Sequence, residues 1–200
     1  MDIFQIILLL NLCISVSYFI ISMIILKLLG INPIGKRVKT KNIFGILSII
    51  ISTLILFFLW IMYIINSNIS LLAVDLLTRL IYIKWIAVSI MSISTVIEII
   101  SSLSLGKSGR IHSPTLKTQL IKTGIYGITR NPIVLGMFLY GFSILLLNPN
   151  LLSLLMMIFL VYGYNYKVDT EANKLEKMFG DEWNNYCKKV GKYLPKLFAK

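Results

Sequence analysis

A chain of 200 residues in which 57% are hydrophobic and 14% charged, with a mean hydropathy of +0.84, lies outside the range of water-soluble globular domains. Its formal net charge of +12 needs no nucleic-acid partner, because basic loops beside anionic lipid account for it. The fold class expected is all-α: one polytopic membrane domain over residues 1–200, with three spans in 1–105 and a cofactor-binding half in 106–200.

In chain order, residues 3–26 and 43–65 are apolar runs, long enough to cross about 30 Å of hydrocarbon as helices rising about 1.5 Å per residue. The N-terminal run lacks the basic start and the small-residue cleavage site of a signal peptide and is read as a span. Residues 71–105 form the third. Asp75, Arg79 and Lys84 recur at helical spacing in its interfacial first turns, and its core is 85–105. Glu98 lies inside that core, where an ionisable group is costly unless paired or near water. It faces either a ligand cavity or a loop lysine.

The fourth apolar region, 131–166, is broken once, by the turn signal Asn148-Pro149-Asn150. Halved, it gives about 18 residues or about 27 Å a side, enough for a helical hairpin; a re-entrant pair is the competing reading. The expectation is therefore five spans. All of the 20 basic residues except Arg79 and Lys84 then fall on one side, which puts the N-terminus outside and the C-terminus in the cytoplasm. Cys13 and Cys187 fall at different levels, and neither has the spacing of a metal site, so neither a disulfide nor a bound metal is expected.

Two polar blocks remain, 106–130 and 167–200. In the second, Val168, Leu175, Met178, Phe179, Trp183 and Tyr186 recur at helical intervals between charges. That pattern predicts a cytoplasmic amphipathic helix from Lys167, interrupted at Gly180 and ended by Pro195.

Gly124, Tyr126, Arg130, Pro132 and Gly136, followed beyond the hairpin by Glu171, Leu175, Phe179-Gly180, Trp183, Tyr186 and Pro195, resemble the isoprenylcysteine carboxyl methyltransferase and phospholipid methyltransferase superfamily of membrane enzymes. The resemblance covers about residues 115–195; the first three spans agree only in number and hydrophobicity. It implies S-adenosylmethionine as cofactor and a lipid or prenylated acceptor entering from the bilayer. By position, Thr118, Gln119, Leu120, Ile121, Tyr126, Asn131, Pro132, Ile133, Val134 and Glu171 would line the cofactor, and Lys167 and Arg130 would face the acceptor.

Four positions depart from the family pattern. Asn131 stands for the usual His, Val134 for Tyr, Ala172 for one of an acidic pair and Lys167 for Arg. Chemically, a sulfonium cofactor wants an aromatic face, main-chain partners and an acid, which Tyr126, the backbone near Pro132 and Glu171 could supply. A carboxylate acceptor is ionised at pH 7 and needs no base, whereas an amine must first lose a proton. With His112 as the sole histidine, the scarcity of titratable groups favours a carboxylate or thiol-type acceptor, and the resemblance makes an isoprenylcysteine-like carboxylate the leading expectation over a phospholipid amine. An NADPH-dependent sterol-reductase-like enzyme and an inactive scaffold are the further alternatives.

Overall fold

The computed structural model describes residues 3–28, 43–65, 81–105 and 119–196. Helices α1 (Ile3–Leu28), α2 (Ile43–Ile64) and α3 (Ile81–Leu105) are followed by a 3-10 turn, Gly124–Gly127, and then by α4 (Pro132–Leu147), α5 (Leu151–Phe179) and α6 (Asp181–Lys189). The stretches 29–42, 66–80 and 106–118 lie outside the described residues; they carry Asp75, Arg79, His112, Thr118 and loop lysines such as Lys36 and Lys117.

Helices α1, α2, α3 and α5 are each long and apolar enough to cross a membrane, and the chain is a multi-pass, all-α membrane protein. Large apolar side chains such as Ile14, Phe19, Leu54, Phe58 and Ile158 point outward, onto the surface that lipid tails cover.

The hairpin divides unevenly, not into equal halves. Helix α4 has 16 residues, about 24 Å at about 1.5 Å per residue, while α5 has 29. Pro132, with no N–H to lose, starts α4. At the far turn the Asn150 side chain accepts from the Ser153 amide at 2.9 Å, and the Ser153 hydroxyl accepts from the Asn150 amide in return, a capping box that starts α5. Residues 148–150 are buried, so this non-helical backbone is covered by protein, the condition under which membrane-depth turns are tolerated.

The amphipathic segment from Lys167 is not a separate helix. Residues 167–179 contain no Gly or Pro, so α5 continues unbroken through them. The break comes at Gly180, whose φ of +49° only glycine adopts without strain. Helix α6 then ends at Lys189, before Pro195, where Val190 turns extended.

Helix α3 lies along α4, α2 along α5, and α1 against α3. Ser94 donates to the Gly136 carbonyl at 2.8 Å and Ser143 to the Ala87 carbonyl at 2.7 Å, because small residues let the α3 and α4 backbones approach. Between α2 and α5, a side chain added at Gly163 would run into Ser48 and Ile49. Asn11 donates to the Ser92 hydroxyl at 3.2 Å and ties α1 to α3.

Two cores result. Leu8, Leu56, Leu59, Met91 and Ile144 lie in the centre of the larger one, among the spans. Trp183, Tyr186 and Val190 form the smaller, with Leu120, Leu175 and Phe179 packed against them. Burying each of these large side chains contributes about 1.5–3 kcal/mol where the alternative is water. The second core holds Leu120 against α6 and the end of α5.

Candidate functional site

The 3-10 turn packs against α3 and carries Tyr126 to a buried position. Its carbonyl accepts a hydrogen bond from the Tyr186 hydroxyl at 2.6 Å, which fixes the turn to α6. Burial raises the Tyr126 phenol well above the ordinary tyrosine range, with Tyr186 and the Glu171 carboxylate adding to the effect. The phenol therefore stays neutral, an aromatic face with a proton to donate. Tyr186 is pushed up to about 12, burial being the main cause.

Glu171, on α5, lies within electrostatic reach of this phenol. One turn before it, Lys167 approaches to 3.8 Å, with both side chains part-exposed, and its ammonium also sits 5.9 Å from the Tyr164 ring centre. An i,i+4 pair of this kind is worth about 0.3–0.5 kcal/mol, little enough for either partner to exchange the other for a ligand. Two turns before Glu171, the Tyr164 phenol lies within electrostatic reach of both Glu171 and Glu98.

Arg130 and Asn131 turn the other way. The Arg130 guanidinium donates to Cys187 Sγ at 2.7 Å and stacks 5.7 Å from the Trp183 ring centre, while its Nε is a buried donor with no protein acceptor among the described residues. The Arg130 amide donates to the Gly191 carbonyl at 2.9 Å and the Asn131 side chain to the Lys192 carbonyl at 3.0 Å. Thr129 and Gly191 form a parallel bridge. Lys192 in turn bonds Asp169 at 2.7 Å, and the Tyr193 hydroxyl donates to Asn165 at 2.8 Å. Residues 190–193 thus form a strap that sews the 129–131 connection to α5.

Among the residues singled out in the sequence, the fold pairs Lys167 with Glu171, and Glu171 lies within electrostatic reach of Tyr126. Leu120 packs into the second core, Gln119 is exposed and Ile121 half-buried. Pro132 and Val134 are buried at the start of α4, with Ile133 half-buried, and Thr118 lies outside the described residues. Among the described residues no three His, Cys, Asp or Glu side chains converge on a metal position. Sequence reasoning left out Tyr164, Tyr140 and Ser94, whose types are common in membrane helices. Glu98 was detectable as the only charge in 85–105, but not its neighbours.

Residues 82–182, half of the chain, match the phospholipid methyltransferase family, and the chain belongs to that family. Over 103 residues it is 33% identical to the protein-S-isoprenylcysteine O-methyltransferase of Saccharomyces cerevisiae, an alignment covering 47% of this chain and 42% of that protein. The chain thus matches less than half the length of this relative.

Proposed function

We propose that this protein is an integral-membrane methyltransferase that uses S-adenosylmethionine and acts on a lipid-borne acceptor. The observation that carries the reading is the 2.6 Å hydrogen bond from the Tyr186 hydroxyl to the Tyr126 carbonyl, which joins two sequence blocks from opposite sides of the hairpin. The residues fit the cofactor's chemistry. Glu171 offers an acid and Tyr126 a neutral aromatic face. The non-helical backbone of Gln119, Leu120 and Ile121 supplies main-chain partners, and residues 131–134 form the wall on the α4 side.

When bound, S-adenosylmethionine supplies an activated methyl group on a sulfonium cation. The protein's part is to hold the acceptor against it and to exclude water, so that proximity and desolvation provide most of the rate. Lys167, free to leave its weak pair with Glu171, orients an anionic acceptor. An isoprenylcysteine-type carboxylate is supported by the name of the yeast relative. A phospholipid amine is the second reading, favoured by the family's name and by the carboxylate of Glu98 within the bundle. The basic loops orient the chain with its N-terminus outside and its C-terminus in the cytoplasm.

Calorimetry on the detergent-solubilised protein tests the reading. S-adenosylhomocysteine is expected to bind, with affinity at least about tenfold weaker in Tyr126→Ala and Glu171→Ala, about 1.4 kcal/mol each. Binding of NADPH in its place would move the protein to the reductase class.

A further inference from the structure

We infer that residues 190–193 are a gate in the seam between α4 and α5, with Tyr193 as its plug and the Lys192–Asp169 pair as its catch, and that a lipid's polar end reaches Lys167 and Glu171 through it. What the gate admits rests on the methyltransferase reading above; the gate itself rests on how the hairpin and the strap pack.

Helices α4 and α5 close directly on each other at Gly141, where a Cβ would lie 2.9 Å from both Leu160 Cδ2 and Met157 Sδ. One turn nearer the start of α4, the strap fits into the seam. There the Tyr193 ring meets the Phe138 ring of α4 edge-on at 5.2 Å, and its hydroxyl donates to Asn165 Oδ1 of α5 at 2.8 Å. Phe138 in turn meets Tyr164 edge-on at 6.3 Å. Tyr193 is half-buried and Tyr164 buried, so the plug lies on the outer side. The Lys167 ammonium sits 5.9 Å from the Tyr164 ring centre and 3.8 Å from Glu171. A path past Tyr193 therefore leads to the charged pair of the candidate site.

That path starts on the lipid-covered surface. Phe142, one turn beyond Phe138 on the same face of α4, and Tyr162, three residues before Asn165 on α5, are both exposed. The strap is also held unequally at its two margins. Toward 129–131 it uses its main chain: the Gly191 carbonyl accepts from the Arg130 amide at 2.9 Å, and the Lys192 carbonyl from Asn131 at 3.0 Å and from the Thr129 hydroxyl at 3.3 Å. Toward α5 it uses side chains only: Tyr193 on Asn165, and the Lys192 ammonium on Asp169 at 2.7 Å and Asn165 at 3.2 Å. The Asp169 side chain is 64% exposed, and an exposed ion pair holds weakly. The α5 margin is the one that releases, through rotamer changes of Lys192 and Tyr193, while the main-chain margin keeps 129–131 in place. Closed, the plug excludes water and lipid from the charged pair; open, it lets a polar lipid end slide in between Phe138 and Asn165.

The test places a cysteine reporter behind the plug, Tyr164→Cys with Cys13 and Cys187 changed to Ser, in vesicles containing a phosphatidylethanolamine whose headgroup carries a maleimide. Met91→Cys, at a fully buried position in the bundle centre, is the control reporter. S-adenosylhomocysteine binding is measured alongside on protein with its native cysteines. We expect the lipid-borne maleimide to label Tyr164→Cys at least about tenfold faster in Tyr193→Ala than with the strap intact, and about threefold faster in Lys192→Met. Labelling of Met91→Cys should not accelerate, and S-adenosylhomocysteine affinity should change by less than about twofold in either strap variant. Equal labelling with and without the Tyr193 side chain overturns the inference. So does acceleration by a water-soluble charged maleimide alone, which would mean a seam open to water and not to lipid, or equal acceleration at Met91→Cys, which would mean general loosening. A larger loss of S-adenosylhomocysteine affinity in Tyr193→Ala would make the strap a cofactor wall and overturns it too. A wild-type protein that does not bind S-adenosylhomocysteine overturns the methyltransferase reading alone, and the labelling rates still decide the gate.

Discussion

At the scale of single residues, two contacts carry testable weight. The Tyr186 hydroxyl is the donor to the Tyr126 carbonyl, so Tyr186→Phe leaves a buried acceptor unsatisfied, at a cost of about 1–3 kcal/mol. A lower thermal midpoint in detergent and weaker S-adenosylhomocysteine binding are the expected readouts. The same residue gives a pH dependence. The fold holds the phenolic proton more tightly than the unfolded chain does, so the contribution is whole below about pH 10, the ordinary tyrosine value. It is lost as pH rises through about 12. Stability measured against alkaline pH should therefore fall less steeply in Tyr186→Phe. Gly136 is the second contact: Gly136→Ala forces a methyl group against Glu98, an overpacking worth about 1–3 kcal/mol. The penalty should shrink when Glu98 is also cut back to Ala, and a double-mutant cycle of thermal midpoints measures that coupling.

At the scale of elements, the spans were legible because apolar length alone identifies them. The Asn148 turn was legible because Asn and Pro punctuate so strongly. The continuity of α5 was not. Composition changes abruptly at Lys167 while helix propensity does not, and a change of solvent reads in sequence like a change of element. The strap was invisible for a different reason. Its bonds to 129–131 are made by main-chain carbonyls of Gly191 and Lys192, and a carbonyl leaves no mark on residue type. The same reasoning covers Arg130 and Asn131, whose motif membership was plain but whose commitment to α6 and the strap was not. Ending the chain at Lys189 should abolish S-adenosylhomocysteine binding by calorimetry while leaving most of the helical circular dichroism intact. Loss of helix throughout would mean that the strap holds the bundle as well as the site.

At the scale of the whole molecule, the orientation proposed from the positive-inside pattern is tested by surface labelling. With Cys13 and Cys187 changed to Ser, Leu151→Cys lies exposed at the hairpin turn and Leu194→Cys exposed beyond α6. A membrane-impermeant maleimide should label the first in intact cells and the second only after permeabilisation; the opposite result would invert the topology.

Helix α4 has a consequence at this scale too. A lipid-facing helix about 24 Å long would impose a hydrophobic mismatch of several ångströms on a bilayer core of about 30 Å. Because the far end of α4 is roofed by its neighbours, the mismatch is taken up inside the protein and the surrounding lipid need not thin to meet it. The end of the bundle that carries the candidate site thus keeps its depth relative to the headgroups across membranes of different thickness, while the longer helices adjust by tilting.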